Sequence, residues 1–194
     1  MVKKNVAVLV SGGGTNLQAL IDSEAQGIIK SGTISLVVSN KEGAYAMERA
    51  KSAGIEALYI PRGRDFEATL IKTLEEKNID VIVLAGFLSI LSADFVKKYD
   101  KKIINVHPSL IPSFCGDGFY GLKVHEAALA KGVKVTGATT HFVNEITDGG
   151  EIIMQKAVEI SEDDTAETLQ LKVMQQAEWK ILPLSVEKVC QELS

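Results

Sequence analysis

Short runs of aliphatic and β-branched residues alternate along this chain with longer segments whose apolar residues recur at helical spacing. The first run, NVAVLVS from Asn5 to Ser11, stops at three glycines, and the next segment spaces Leu17, Leu20 and Ile21 along one helix face. Four similar runs follow it: TISLVVS, EALYI, DVIVLAG and KIINV. Because such runs are apolar throughout and are joined by helices, they predict parallel strands buried on both faces, in an α/β, Rossmann-like, doubly wound sheet.

Local signals predict where several helices begin and end. Asp65 is a candidate N-cap for a helix over DFEATLIKTLEEKN. Asp164, with Glu167 three residues later, is a candidate capping pair for a long C-terminal helix from about Thr165. Pro183 falls inside that helix and is predicted to kink or interrupt it.

The alternation of short apolar runs and helical segments stops after Pro108. A loop rich in glycine and aromatic residues, SFCGDGFYG, leads into a predicted helix from Leu122 to about Lys131. The segments KVTGATTHFV and EIIMQKAVEI then read as an antiparallel pair joined by NEITDGG. The mostly parallel sheet is therefore expected to carry an antiparallel C-terminal extension, followed by the long helix.

Composition and charge narrow the class of protein. The chain has 194 residues, 46% of them hydrophobic and 24% charged, which is typical of one globular domain with a substantial core. A net charge of −4 offers no general attraction for nucleic acid. No signal-peptide pattern and no 18-residue apolar run is present. Cys115 and Cys190 lie far apart and match no metal spacing, so we expect a reduced, cytoplasmic protein without membrane or nucleic-acid partners.

The glycine run SGGGTN follows the first predicted strand and opens a helix. Glycine lets backbone N–H groups approach an anion at the positive end of a helix. The run is not a dinucleotide fingerprint, because Leu17 occupies the third glycine position and the second strand ends at Asn40 instead of an acidic residue. We therefore predict a site for one phosphate at Gly14, Thr15 and Asn16; a tight turn without a ligand is the alternative.

INVHPSLIP places Asn105 and His107 two residues apart, so both project from the same face of an extended segment. Pro108 favours that extended geometry in the residue before it. An amide N–H and an imidazolium aimed at one point can stabilise an oxyanion and release a proton. Asp148, before Gly149 and Gly150, is expected to raise the pKa of His107 if it lies close, and activity would then fall in alkali. The alternative is that these residues only satisfy loop carbonyls and turn geometry.

The other histidines, Cys115 and Trp179 are not expected to carry out the chemistry themselves. His125 is expected on a helix, and His141 on a strand, where it can act as a partner of a catalytic group. Cys115 has no identifiable base beside it and is expected to be an ordinary loop cysteine. Trp179 is expected in the core.

Four segments carry a resemblance to a known family. VLVSGGGTNLQALI, VIVLAGFLSIL, IINVHPSLIPSF and THFVNEITDGGEIIMQ resemble, in order and spacing, the folate-dependent phosphoribosylglycinamide formyltransferases. The resemblance covers essentially the whole chain. It implies a single formyltransferase domain over 1–194, with a phosphate-binding βαβ half over 1–100 and a catalytic, folate-binding half over 101–194.

The resemblance also implies a reaction and its residues. The reaction is transfer of a formyl group from 10-formyltetrahydrofolate, a co-substrate, to phosphoribosylglycinamide, without a metal, in a monomer or homodimer. It implies that His107 and Asn105 act on the formyl oxygen and that Asp148 tunes His107 and assists proton transfer. The implied binding residues for phosphoribosylglycinamide are Gly14, Thr15, Asn16, Gln175 and Glu178. Those implied for folate are Arg64, Leu88, Ser89, Ile90, Leu91, Asn105, Asn144, Glu145, Ile146, Thr147 and Asp148.

Departures from the family pattern concern the folate side. Ser89 stands where many members have arginine, the loop Ser113–Gly121 is long, and the match at Arg64 needs a gap. Two related enzyme classes use the same formyl donor with another acceptor. Formyltetrahydrofolate hydrolases typically carry a second histidine where this chain has Pro108, and the enzymes that formylate methionyl-tRNA carry glycine there. Pro108 therefore disfavours both alternatives. A nucleotide-binding oxidoreductase or a non-catalytic sensor on the same sheet are alternatives from other classes; the broken dinucleotide fingerprint disfavours the first.

Overall fold

The computed structural model describes residues 2–193 of the chain. Within these residues seven strands cover Lys4–Val10 (β1), Gly32–Ser39 (β2), Glu56–Tyr59 (β3), Val81–Leu84 (β4), Ile103–His107 (β5), Val135–Phe142 (β6) and Ile152–Glu159 (β7). The α-helices cover Thr15–Ala25 (α1), Tyr45–Ser52 (α2), Phe66–Glu76 (α3), Ala93–Lys98 (α4), Leu122–Lys131 (α5), Ala166–Val173 (α6) and Trp179–Glu192 (α7). A π-helical turn, Met174–Glu178, joins α6 to α7.

All seven strands form one sheet in the order β3-β2-β1-β4-β5-β6-β7. The first five of these run parallel, whereas β6 is antiparallel to β5 and β7 is antiparallel to β6. The predicted fold class, a mostly parallel doubly wound sheet with an antiparallel extension, is confirmed. The strand order reverses between β1 and β4, and in such sheets ligands bind beyond the carboxyl ends of the strands at this reversal.

Strand β1 shows why both faces of the sheet are covered. Every residue of the strand from Val6 to Val10 is fully buried. Val6, Val8 and Val10 pack into a core with α1, α2 and α7, whereas Ala7 and Leu9 pack into a second core with α3 and α4. The alternation follows from the two-residue period of a strand, and the all-apolar run is its signature in sequence.

Of the two predicted helix caps, the one at Asp65 is correct in position and the one at Asp164 is wrong. Asp65 occupies the N-cap position of α3, but its side chain makes no capping hydrogen bond. At the start of α6 the cap is Thr165, whose hydroxyl accepts the N–H of Thr168 while the Thr168 hydroxyl accepts the N–H of Thr165. The carboxylate of Asp164 instead accepts hydrogen bonds from Lys172 and from the N–H of Ser161. Competing local donors decide which side chain caps.

The C-terminal helix is interrupted, although not at the proline. Pro183 lies buried within α7, and the irregularity is the π-helical turn that ends at Glu178. Such turns shift the helical register and occur frequently at functional sites. No helix within residues 2–193 has both the length and the apolar character needed to cross a bilayer.

Candidate active site

A cavity of about 710 Å³ opens at the carboxyl ends of β1, β4 and β5, beside the strand-order reversal. This volume lies within the usual range for small-molecule sites. The four segments singled out in the sequence all line it, together with the 113–121 loop and one face of the α6 region. Segments that are far apart in the sequence thus converge on one cavity.

The glycine turn, Gly12–Gly14, is held from behind by α2. The N–H of Ala46 donates to the carbonyl of Gly12 at 3.1 Å, and Arg49 Nε donates to the carbonyl of Gly13 at 2.8 Å. Gly14 has φ +73°, and a Cβ there would lie 2.6 Å from the Cβ of Ala46, so only glycine fits. Gly14 is also the N-cap of α1 and supplies no side-chain cap, which leaves the first N–H groups of the helix to an anion.

Asn16 and Glu178 form a buried pair beside the glycine turn. Asn16 Nδ2 donates to Glu178 Oε2 at 2.8 Å, and both residues line the cavity. Burial raises the pKa of Glu178 to about 7, although the hydrogen bond from Asn16 opposes that rise. The pair brings a residue of the last helical region against the first βα turn, a contact that no local pattern could reveal.

Asn105 is oriented by His141, its neighbour across β5 and β6. His141 Nδ1 lies 2.8 Å from the carbonyl of Phe142, which can only accept, so Nδ1 carries the proton. Nε2 then accepts from Asn105 Nδ2 at 3.1 Å, a closer contact than the 3.6 Å to Asp148 Oδ1. The second N–H of the Asn105 amide remains for a ligand. The structure thus supports the interpretation of His141 as a partner of the site.

His107 and Asp148 meet at 3.4 Å, Nδ1 to Oδ2, with side chains 5% and 8% exposed. Burial acts to raise the pKa of Asp148, but contacts with His141, the N–H of Gly116 and His107 together lower it. The expected rise in the pKa of His107 is wrong. Burial lowers that pKa, and it outweighs the opposing effects of the Phe114 carbonyl and Asp148. The prediction that activity falls in alkali assumed that Asp148 raises the pKa of His107, so it no longer has a basis.

The 113–121 loop contributes backbone groups that sequence reasoning missed. His107 Nε2 lies 2.9 Å from the carbonyl of Phe114, and the N–H of Gly116 donates to Asp148 Oδ2 at 2.9 Å. Phe114 and Gly116 both have positive φ. Both ring nitrogens of His107 therefore face acceptors of the protein itself. Cys115 donates to the Pro112 carbonyl, and burial raises the pKa of its thiol, consistent with an ordinary loop cysteine.

The turn before β7 presents Asp148 to the cavity. Asn144 ties this turn together, because its Oδ1 accepts the N–H of Ile146 at 2.9 Å and its Nδ2 donates to the Gly149 carbonyl at 3.1 Å. A Cβ at Gly150 would lie 1.7 Å from the carbonyl oxygen of Phe142. The second glycine of the TDGG sequence is thus required by close packing against the end of β6.

The residues implied for folate divide between two places. Leu88 to Leu91 and Asn144 to Asp148 all line the main cavity, where Leu88, Ile90 and Ile146 expose most of their apolar surface at its mouth. Arg64 lines a separate cavity of about 250 Å³ beyond the end of β3.

The residues implied for phosphoribosylglycinamide divide similarly. Gly14, Thr15, Asn16 and Glu178 line the main cavity. Gln175 is exposed and lies outside that lining, whereas Gln170 and Met174 contribute to it. Sequence reasoning identified Glu178 but missed Gln170 and Met174. The three residues follow one another at four-residue intervals, so helical periodicity counted back from Glu178 was the signal that could have found the other two.

His125 also lines the cavity, on α5, and is fully buried with neither ring nitrogen hydrogen-bonded among the described residues. Burial lowers its pKa to about 4, so the ring is neutral at pH 7. Across residues 2–193 no group of three His, Cys, Asp or Glu side chains is arranged to hold a metal ion.

Comparisons with known proteins place this geometry in a family. The sequence matches the formyl transferase family over residues 4–186. It is 45% identical over 193 residues to the human trifunctional purine biosynthetic protein adenosine-3; the alignment covers 96% of this chain but only 18% of that protein. It is 38% identical to phosphoribosylglycinamide formyltransferase from Haemophilus influenzae, covering 95% of this chain and 86% of the relative.

A solved structure agrees with the sequence relatives. The crystal structure of phosphoribosylglycinamide formyltransferase from Anaplasma phagocytophilum superposes with a TM-score of 0.88 and 40% identity, covering 98% of this chain and 88% of the other. Sequence, fold and cavity thus lead to the same conclusion: the chain belongs to the phosphoribosylglycinamide formyltransferase family.

Proposed function

We propose that this chain transfers the formyl group of 10-formyltetrahydrofolate to the amine of phosphoribosylglycinamide, in de novo purine synthesis. The observation that carries the proposal is the contact of 3.4 Å between His107 Nδ1 and Asp148 Oδ2, in one cavity with Asn105 and the glycine turn. Family membership supplies the two substrates. The chain works as one formyltransferase domain, with strands of both halves in a single sheet.

The acceptor substrate lies along the glycine turn. Its phosphate takes the N–H groups of Gly14, Thr15 and Asn16 at the positive end of α1. Its ribose hydroxyls donate to the carboxylate of Glu178, which Asn16 already orients. Gln175 is exposed and lies outside the cavity lining, so its contribution requires the side chain to reach in from the rim.

The formyl donor lies against the apolar mouth. Leu88, Ile90 and Leu91 on one side and Ile146 on the other offer surfaces for its flat rings. Arg64, in the neighbouring cavity, is placed for a negatively charged tail extending beyond the main site.

Chemistry follows from the donors at the centre of the cavity. The amine nitrogen attacks the formyl carbon, a new C–N bond forms, and negative charge develops on the formyl oxygen. Asn105 and His107 donate hydrogen bonds to that oxygen; removal of one such donor typically costs about 3–4 kcal/mol of activation free energy. The bond to the folate nitrogen then breaks, that nitrogen gains a proton, and the amine loses one, through His107 or a water held by Asp148.

His107 must exchange one hydrogen bond to take part. Both of its ring nitrogens face acceptors of the protein, the Phe114 carbonyl and Asp148. The formyl oxygen therefore has to take the place of one of these acceptors, and because Asp148 is proposed to keep its contact with His107, the Phe114 carbonyl is the one displaced. The ring nitrogen that faced the displaced acceptor then supplies the N–H donor to the formyl oxygen.

The test is a spectrophotometric assay with a 10-formyl folate, with and without phosphoribosylglycinamide, on the parent and His107→Ala. We expect acceptor-dependent turnover in the parent and a loss of about 10²–10³-fold in kcat for the variant. Retention of most activity by His107→Ala would refute the roles assigned here. Folate consumption that does not depend on the acceptor would indicate a hydrolase, and ligand binding without turnover a sensor.

We further propose that the chain acts in the cytoplasm on small molecules, without a metal, nucleic acid or membrane partner, as a monomer or homodimer. Its net charge of −4 supports the absence of a nucleic-acid partner. Sedimentation equilibrium with and without substrates measures the oligomeric state.

A further inference from the structure

Three polar side chains form a continuous hydrogen-bonded chain at the strand-order reversal. The N–H of Leu88 donates to Ser11 Oγ at 3.0 Å, and the Ser11 hydroxyl donates to Asn40 Oδ1 at 2.8 Å. Asn40 Nδ2 then donates to Ser89 Oγ at 2.7 Å. We call this the Ser11–Asn40–Ser89 chain.

In the Ser11–Asn40–Ser89 chain, the donor and the acceptor of each hydrogen bond are fixed by the groups available. Ser11 and Asn40 are 6% and 5% exposed, so water does not compete for their bonds. The hydroxyl of Ser11 has one hydrogen, which goes to Asn40, and its lone pair serves Leu88. The amide of Asn40 must therefore turn its oxygen to Ser11 and its nitrogen to Ser89.

The Ser11–Asn40–Ser89 chain connects the two substrate subsites. Ser11 immediately precedes the glycine turn, and Leu88 and Ser89 belong to the 86–91 segment that walls the apolar mouth. The side chains of Leu88 and Ile90 are 62% and 86% exposed, so burial of apolar surface does little to hold this part of the segment. Phe87 and Leu91 pack against the core, and the hydrogen bonds of Leu88 and Ser89 fix the part of the segment between them.

We infer that Asn40 is a positioning residue, which sets the 86–91 segment against the glycine turn and so determines the affinity for the formyl donor. Asn40 does not line the cavity. This inference deepens the proposed function and rests on it for the identity of the donor. Ser89, where many family members have arginine, acquires a specific task in this chain as the acceptor of Asn40.

The direct test compares the parent with Asn40→Ala, Ser89→Ala and the double variant. Loss of a buried neutral hydrogen bond corresponds to about 0.5–1.5 kcal/mol, so we expect KM for the formyl donor to rise about 3- to 10-fold. We expect kcat and KM for the nucleotide to change less than about twofold, since neither the reacting groups nor the glycine turn is altered. Asn40→Ala breaks both bonds that Asn40 makes, whereas Ser89→Ala breaks only the one between Asn40 and Ser89, so the double variant should resemble Asn40→Ala.

Asn5→Ala is the matched control. Asn5 lies at the opposite end of β1 and also donates one side-chain hydrogen bond, to the Asn78 carbonyl at 3.1 Å. Its removal should leave KM for the donor unchanged. Equal changes in kcat and both KM values for Asn40→Ala, or effects of Asn40→Ala and Ser89→Ala that simply multiply, would overturn the inference.

Amide hydrogen exchange separates this inference from the proposed function. Exchange of the Leu88 amide should accelerate in Asn40→Ala and not in Asn5→Ala. If the parent shows no formyl transfer but exchange responds in this way, the proposed function fails and the positioning role stands. If the parent is active but neither exchange nor KM responds, the positioning role fails alone.

Discussion

The buried carboxyl of Glu178 allows a substitution whose effect on stability has the opposite sign to its effect on function. Glu178 is 5% exposed and its polar neighbour in the structure is Asn16, whose own Oδ1 has no hydrogen-bond partner among the described residues. A glutamine at position 178 can accept from Asn16 Nδ2 and return an N–H to Asn16 Oδ1. We therefore expect Glu178→Gln to satisfy this pair better than the native acid.

The magnitude follows from the pKa. Burial raises the pKa of Glu178 from 4.5 to about 7, and each pKa unit corresponds to 1.36 kcal/mol. The native state therefore binds the proton more tightly than the unfolded chain, so the stability it contributes is complete below about pH 4.5 and is lost as the pH rises through 7. The loss reaches about 3 kcal/mol at pH 8, and most of it falls between pH 5 and pH 8.

Urea unfolding at pH 5 and pH 8 measures this effect. Relative to the parent, Glu178→Gln should gain about 2–3 kcal/mol in the free energy of unfolding between the two pH values. Glu162→Gln, at an exposed position, should show no such gain. A stability difference between Glu178→Gln and the parent that does not change with pH would refute the assignment of a raised pKa to this carboxyl.

The same variant should lose function. If the ionised carboxylate holds the ribose hydroxyls, Glu178→Gln raises KM for phosphoribosylglycinamide, and KM of the parent falls as the pH rises through 7. The pH profile of KM with the variant should be flat over this range.

Two further substitutions test the centre of the site and its anion end. Gly14→Ala places a Cβ 2.6 Å from that of Ala46 at φ +73°, so we expect about 2–4 kcal/mol lower stability in urea and a raised KM for the nucleotide; an unchanged urea midpoint would contradict the packing argument. Asp148→Asn leaves His107 with a weaker partner and should lower kcat about 10²-fold or more. The control Asp163→Asn, at an exposed position, should not lower kcat. Equal activity of the two variants would show that Asp148 has no part in the chemistry.

Much of the fold is decided by local patterns. The all-apolar run from Val6 to Val10 predicts a strand buried on both faces because strand side chains alternate between faces, and both faces here meet helices. The glycine turn is equally local, since the positive φ of Gly14 requires a residue without Cβ. Helix caps were less predictable: Thr165 is the N-cap of α6, and the carboxylate of Asp164 instead pairs with Lys172, eight residues further along the chain.

The chemistry was decided between distant parts of the chain. Asn105, His107, Asp148 and the glycine turn were identified as candidates from residue type and spacing. Their convergence depended on β4 and β5 extending the sheet beyond β1 and on β6 returning antiparallel to β5. A pKa depends on burial as well as on a nearby charge, which is why the expected rise for His107 was wrong.

The sequence by itself determined the strands, the helices, the glycine turn and the candidate residues, because each is set by side-chain type and period within a few residues. Only the tertiary structure decided that the Phe114 carbonyl and the Gly116 N–H hold the His107–Asp148 pair, that His141 orients Asn105, and that Glu178 meets Asn16. Backbone groups carry no residue signature, and contacts between distant segments depend on how the whole sheet assembles.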